Sequence, residues 1–480
     1  MATLDKTSAR EQVAQIKADF ERLSEAGKVA DEVKPLFTGL LLLVELILAI
    51  FLEKKTRKTS KNSGIPPSCD FKEETETLPG SKKKGHSNNG LAENVRSVES
   101  TTIIPVTECS NCGEPLEGVE CCGTERRTKI DIIFEKVTEH VDAEIKQCPT
   151  CGDTVKGGFP ADMLGPLQYG NGLIAFAINL LTTQMVALNR VQKLLSSMIG
   201  TTLAEATLLR FILRLHRSLE DWERQTKDKL LDMATLHVDE TSFRVDKKNH
   251  WIHVYSSGGL TLKLLHQKRG KEAIEALNII PRYSGVIIHD CWASYLAYAH
   301  CHHGLCGAHL LRELTYVIDS NNYRWAKNLK RLLQETCRKI AHSEDRALSP
   351  ADYANLQKRY RNLLTRGEKE LPVIPPKPKG KRGKVAKSDA HNLWERFKKH
   401  ETAVLLFAKE PHVPFTNNRA ERDLRMAKVK QKVSGCFRAE QYAHAYCRIS
   451  SYIQTMNQQG VNPLVAIQMA LAGKLETKGE

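Results

Sequence analysis

Between residues 235 and 306 the hydrophobic period of the chain changes from helical to strand-like, and this stretch limits the fold more than any other. TLHVDETSFRV, NHWIHVYSS and LTLKLLHQ are three β-like runs separated by short polar or Gly-containing turns. Gly270 to Asn278 then reads as a short helix. SGVIIHD follows as a buried strand, with Val286, Ile287 and Ile288 in succession and a polar end at His289 and Asp290. A helix over Trp292 to His300 and a strand-like HHGLC close the stretch.

Three consecutive strands, helix, strand, helix, strand is the element order of an RNase-H-like α/β core. Asp239 lies in the first strand, where positions 237, 239 and 241 are polar and 236 and 238 apolar, so it is expected on a polar face. Asp290 ends the fourth strand, and the carboxyl ends of strands are where α/β sheets bind ligands. In an RNase-H-like sheet these two strands are neighbours, so both carboxylates would converge on one hard cation such as Mg²⁺. Two such ions stabilise the attacking and leaving oxygens of an in-line phosphoryl transfer. Taken singly, each Asp also reads as a solubilising or capping group at a strand end.

A third acid, Glu421, lies in TNNRAERDLRMAKVKQK. Asn418 and Glu421 have the spacing of an N-cap and its N3 partner, which would explain the Glu without catalysis. Against that, Arg419, Arg422, Arg425, Lys428, Lys430 and Lys432 crowd the same helix. A carboxylate among six cations suits a metal site facing a DNA backbone; a solvated basic face is the plainer alternative.

The balance of the whole chain points the same way. Its 480 residues suit about three domains. Lys+Arg exceeds Asp+Glu by 71 − 56 = 15, which favours a polyanionic partner. With 41% apolar and 26% charged residues, collagen-like, wholly disordered and polytopic membrane classes are excluded. Thirteen Cys, an odd number, with no secretory signal at the start of this sequence, favour reduced thiols over a disulfide scaffold.

Cys109-Ser-Asn-Cys112 and Cys148-Pro-Thr-Cys151 form two CxxC knuckles, each followed by Gly. Thiolates paired on a Gly turn, twice over, supply four soft ligands for a tetrahedral structural Zn²⁺. The 35 residues between them exceed the usual ribbon spacing and leave room for a β-rich insert, with Cys121 and Cys122 as spare ligands. A redox CxxC would need a βαβ context that is missing. Cys306-Gly-Ala-His309 is either core packing or a pair that organises the site.

Around these motifs the chain reads as seven segments. Residues 1–59 form a helical self-association segment. Within it LLLLVELILAIFL falls short of the ~20 apolar residues a membrane span needs, so no membrane attachment is expected. Residues 60–105 have linker composition, and 106–165 form the cysteine-rich module. Residues 166–230 are helical; Ile199 runs into Gly200, and Thr202 and Glu205 stand as a capping box, an outline compatible with helix-turn-helix DNA binding. Residues 231–310 begin the core and 311–412 insert helices into it. In that insertion, the loop 375–387 carries Lys or Arg at 377, 379, 381, 382, 384 and 387, as a solvated loop or a DNA-backbone contact. Residues 413–480 close the core. The expected class is therefore multidomain α+β: a helical N-terminus, a zinc-ribbon-like module, a helical DNA-binding region and an RNase-H-like α/β catalytic core with a helical insertion.

With these residues in view, the chain resembles the DDE-type transposases of the insertion sequence 66 family. From about residue 60 to 475 it carries KTSKNSGIPPS, CPTCG, GGFPADMLGPLQYG, NRVQKLLSSMIGTTLAEATL, HVDET, IIHDCWASY, CGAHLLREL and TNNRAERDLRMAKVKQKVSGCFR in the family's order. The ordered set is specific where each phrase alone is weak. The apolar run within 37–52 departs from the family's charged, Leu-spaced coiled-coil helix. The resemblance implies a catalytic triad of Asp239, Asp290 and Glu421 binding Mg²⁺ or Mn²⁺, and structural Zn²⁺ on Cys109, Cys112, Cys148 and Cys151. It also implies cleavage at terminal inverted repeats and transfer of the 3′-hydroxyl into target DNA. The partners it implies are DNA, a second copy of the chain and small accessory proteins encoded beside it, in the bacterial cytoplasm at the nucleoid. A metal-dependent nuclease without strand transfer, or a non-catalytic DNA-binding relic, are the alternatives.

Overall fold

The computed structural model describes residues 6–51, 100–132, 135–163, 165–200, 202–372, 374, 385 and 387–475. Most of the expected linker 60–105 and of the basic loop 375–387 lies outside these residues. The elements begin with α1 (Lys6–Glu25), α2 (Val33–Phe51), β1 (Ile145–Gln147) and β2 (Thr154–Lys156). Four helices follow: α3 (Asn171–Thr182), α4 (Leu188–Ile199), α5 (Glu205–Ser218) and α6 (Glu220–Leu231). The strand-rich stretch comprises β3 (Thr235–Val245), β4 (Lys248–Ser257), β5 (Leu260–His266), α7 (Lys271–Leu277), β6 (Val286–His289), α8 (Ala293–Leu296) and β7 (His302–Leu305). Then come α9 (Gly307–Asn321), α10 (Arg324–Ala341), α11 (Pro350–Glu370), α12 (Asp389–Lys399) and α13 (Glu401–Lys409). The chain closes with α14 (Asn418–Ser434), α15 (Glu440–Gln458) and α16 (Pro463–Leu471).

Two compact units result. One comprises the described residues of Met1–Lys84, Thr226–Phe243 and Asn249–Met426; the other, those of Gly85–Gln225, Arg244–Lys248 and Ala427–Glu480. The first is built on a five-stranded mixed sheet of order β5-β4-β3-β6-β7. β4 and β5 are antiparallel, while β3 pairs with β6, and β6 with β7, in parallel. All four residues of β6 are buried, as a central parallel strand covered on both faces requires. Ile287 packs on one face with Leu236, Val238, Tyr283 and Tyr295, whereas Val286 and Ile288 join the helical layer on the other. That layer is α9–α13, with Trp325, Tyr360, Trp394 and Phe397 at its centre. Gly367 of α11 sits so close to Trp325 that a Cβ there would lie 2.7 Å from the indole. Ser349 and Ser388 cap α11 and α12 through the N–H groups of Asp352 and His391, each at 3.1 Å.

Several expectations change. The first half of β3 is covered on both sides, with His237 and Glu240 both buried, whereas Arg244 near its end is exposed. The helix expected over Trp292 to His300 is only α8. Beyond it the chain turns with i→i+3 bonds from Tyr298 to Tyr295 and from Cys301 to Tyr298, which brings all three side chains inward at a period of three. Thr202 does not cap α5; Ala204 holds the cap position and makes no side-chain bond. The Thr202 hydroxyl instead lies 3.4 Å from that of Ser196. Gly200 ends α4 in the left-handed region, as read.

The second unit packs α3, α4, α5, α15 and α16 around Ile178, Leu195, Leu215, Tyr452 and Ile467. Arg448 ties α15 to the α5–α6 junction through Glu223 Oε2 at 2.8 Å and the His216 carbonyl at 2.9 Å. The N-terminal helices form a hairpin in which Phe20 stacks on Phe37 with ring centroids 4.6 Å apart. Leu36, Leu40 and Leu43 of α2 are exposed. Among the described residues, no helix is long and apolar enough to cross a membrane.

Candidate active site

The parallel register sets the site. β3 and β6 pair with an offset of 51, from Thr235↔Val286 to His237↔Ile288. Two residues further on, the same offset sets Asp239 beside Asp290. β6 and β7 pair with an offset of 16, ending at His289↔Leu305, so the next position sets Asp290 beside Cys306. Asp239, within β3, therefore lies in one row with Asp290 and Cys306, which follow the ends of β6 and β7, with neighbouring strands about 4.8 Å apart. Asp239 and Asp290 share the sheet face of Ile288, which α9–α13 cover.

Helices supply the remaining groups. His309 lies in the first turn of α9, and Glu421 in the first turn of α14. Glu421 Oε1 lies 3.4 Å from His309 Nδ1 and 3.7 Å from Arg312 Nη2. Burial pushes the Asp239 carboxyl well above the ordinary carboxylate range, and the charges of Glu240, Asp290 and Glu421 add to the shift. Burial and the Arg312 charge lower His309, against the pull of Glu421 and Asp290. The imidazole is thus neutral at pH 7, and its contact with Glu421 is no ion pair. Of the three acids named from the sequence, Asp290 and Glu421 both raise Asp239 through their charge, but the three carboxylates do not have their oxygens within 4.8 Å of one another.

Asn417 joins the parts, and sequence reasoning missed it. Its amide donates to the Val238 carbonyl (2.8 Å), its Oδ1 meets His237 Nδ1 (2.9 Å), and its backbone N–H donates to Cys306 Sγ (3.1 Å). α14 begins at Asn418, so Asn417 holds the cap position and Glu421 lies one place beyond N3. The capping explanation of Glu421 fails by one residue, and the cap side chain is committed to β3. Gly307 makes the crossing possible: a Cβ there would lie 2.2 Å from the Phe415 ring, and its N–H donates to the Phe415 carbonyl at 2.7 Å. The run TNNR contained the signal, but two adjacent Asn could not be ranked without a tertiary partner.

On the opposite face Glu240, also missed, accepts from Arg269 Nη2 at 2.6 Å and from the Tyr295 hydroxyl at 2.5 Å. The Arg269 guanidinium lies between the Trp251 and Trp292 rings, 5.0 and 4.5 Å from their centroids. Asp423 accepts from Ser256 (2.6 Å) and Thr261 (2.9 Å), which seats α14 on β4 and β5.

The six cations of α14 divide. Arg422, Arg425 and Lys432 are exposed. Arg419 instead donates to the Leu260 carbonyl at 3.0 Å, and Lys430 to the Leu181 carbonyl at 3.2 Å. Lys428 is half-buried. Of the basic loop, Lys387 is described, and it pairs with Glu395.

The knuckles share one geometry. Cys109 N–H donates to the Glu114 carbonyl and Gly113 N–H to the Cys109 carbonyl, both at 2.9 Å. Cys148 repeats this with Asp153 and Gly152, at 2.8 and 2.9 Å. Both glycines have φ above +70°. The N–H groups of Cys151 and Thr150 pull the Cys148 thiol down to about 7, and those of Asn111 and Cys112 lower Cys109. Among the described residues, one set of three or more His, Cys, Asp or Glu side chains has its ligand atoms within 4.8 Å of one another, and it is Cys306, His309 and Glu421. The four knuckle thiols are not gathered in that way.

Among curated proteins none matches the chain. The profile of the Transposase IS66 family matches residues 166–445, a span that takes in the helices from α3, the sheet and all three acids. That span exceeds half of the 480 residues, and the chain belongs to the IS66 transposase family.

Proposed function

We propose that this transposase is a DDE-type enzyme with an RNase-H-like core, cutting DNA at the element's terminal inverted repeats and joining the freed 3′-hydroxyl to target DNA. The observation that carries the reading is the row of Asp239 and Asp290 on adjacent parallel strands, with Glu421 close enough to raise Asp239. Three neighbouring carboxylates suit a hard divalent cation, Mg²⁺ or Mn²⁺, because a cation offsets the repulsion that adds to the rise of Asp239. Such an ion, when bound, neutralises charge at the phosphate and activates an attacking hydroxyl. Asp239 and Asp290 fix the site to the sheet, and Asn417 holds the helix of Glu421 against β3. Arg422 and Arg425, one turn apart and exposed, would seat the DNA backbone.

The remaining assignments follow the segments. Residues 106–165 would be a zinc module, supported by two knuckles whose N–H groups favour thiolates. Residues 166–230 would bind the element ends, 231–310 with 413–480 would form the core, and 311–412 its insertion. Joining two ends requires at least a dimer. The decisive experiment is a strand-transfer assay on the gene's own flanking ends with Mg²⁺ or Mn²⁺, comparing wild type with Asp290→Asn. Joined products from wild type alone support the proposal. Metal-dependent cuts without joining favour a nuclease, and end binding without cuts favours a DNA-binding relic.

A further inference from the structure

Three donors of different chemistry meet at the N-terminus of α9. Cys306 Sγ, His309 Nδ1 and a Glu421 carboxylate oxygen lie within 4.8 Å of one another. His309 Nδ1 and Glu421 Oε1 are both buried without a hydrogen-bond partner, although only 3.4 Å separates them. A buried acceptor left unmade costs about 1–3 kcal/mol, so two facing each other need an explanation. With metal–nitrogen and metal–oxygen distances of about 2.0–2.1 Å, the edge between two ligands of a tetrahedral ion is roughly 3.3–3.4 Å. The pair is therefore spaced as two ligands of one ion, not as donor and acceptor.

We propose that Cys306, His309 and Glu421 bind a divalent transition metal of the zinc class. The donor set of one sulfur, one imidazole nitrogen and one carboxylate oxygen is borderline-soft, unlike the all-oxygen set that suits Mg²⁺. Three protein ligands leave a fourth position open to solvent or a substrate oxygen. Burial raises the Cys306 thiol, so a thiolate there needs a cation; its Sγ already accepts the Asn417 N–H at 3.1 Å, and the N–H groups of His309 and Ala308 also point to it. Arg312, 3.7 Å from Glu421 Oε1, is the competing partner and balances the carboxylate when no metal is held. The proposal goes beyond the cutting reaction because it adds Cys306 and His309, which that reading does not use; it shares Glu421 with the proposed catalytic acids but neither Asp239 nor Asp290.

The test uses the full chain, stripped with chelator and titrated with Co²⁺, whose thiolate charge-transfer and d–d bands report a sulfur-containing tetrahedral site. The knuckle cysteines are expected to bind Co²⁺ as well, so the readout is the difference from wild type. Cys306→Ser and His309→Gln are each expected to lose part of the thiolate charge-transfer absorption, while Asp290→Asn, which can cost a Co²⁺ held by the carboxylates, keeps that absorption in full. Wild-type stoichiometry and spectrum in both Cys306→Ser and His309→Gln would overturn the proposal, leaving Glu421 to Arg312. Far-UV circular dichroism in chelator checks folding. If either variant misfolds, Glu421→Gln must weaken the same part of the thiolate absorption, and full retention there also overturns the site. Asp290→Asn separates the two readings, because it removes cutting if the triad is right and leaves the thiolate absorption whatever the triad does.

Discussion

At the scale of single residues, burial sets the behaviour of the titratable groups. His253 is buried in β4, and desolvation, helped by the charges of His266 and Arg269, lowers its imidazole to about 4. Its folded value thus lies below the unfolded value of about 6.5, so its stabilising effect is complete above pH 6.5 and is lost as pH falls toward 4. Over that window the loss approaches about 3 kcal/mol. Urea denaturation of wild type and His253→Gln at pH 7 and pH 4.5 should show the wild type losing more stability; equal losses would refute the assignment. Gly307→Ala puts a methyl into the Phe415 ring and should destabilise by roughly 1–3 kcal/mol, with Phe415→Leu restoring part of it in the double variant. His253 and Gly307 carry no local sequence signal for these roles, because burial and close approach come from chain segments far away.

The element scale explains how Glu421 reaches the sheet. β3, β4 and β5 were legible almost to the residue, because alternation and turn residues are local. The start of α14 at Asn418 was legible, but the role of its preceding residue was not, since the Asn417 side chain bonds to β3 some 180 residues earlier. Asn417→Ala removes two side-chain hydrogen bonds and leaves the Val238 carbonyl buried without its donor. About 2–3 kcal/mol of stability should go with them, measured by denaturant midpoint, and cleavage should fall more than end binding. A loss of end binding equal to the loss of cleavage would contradict a role in placing Glu421. The knuckles are a separate element-scale case. Purified chain should carry zinc, and Cys148→Ser should lose about one equivalent by metal analysis; unchanged zinc would remove that knuckle from the site.

For the whole molecule, not every cation behind the surplus of fifteen positive charges faces solvent. Arg419 and Lys430 serve internal carbonyls, while Arg422 and Arg425 are exposed on the helix that carries Glu421. The double variant Arg422→Ala/Arg425→Ala should weaken DNA binding across sequences and lower the slope of log K against log salt by about 2. An unchanged slope would place the phosphate contacts elsewhere.

By itself the sequence determined the mixed α+β class, the seven-element order of the strand-rich stretch and the family, and it singled out the three acids as candidates, because each is written in local periodicity or in short ordered phrases. The tertiary structure decided the rest: that Asp239, Asp290 and Cys306 share a row, that the first half of β3 is covered on both sides, that Asn417 is the linchpin, and which cations are exposed. Strand register and helix docking depend on contacts between residues tens to hundreds of positions apart, and no local pattern encodes such a distance.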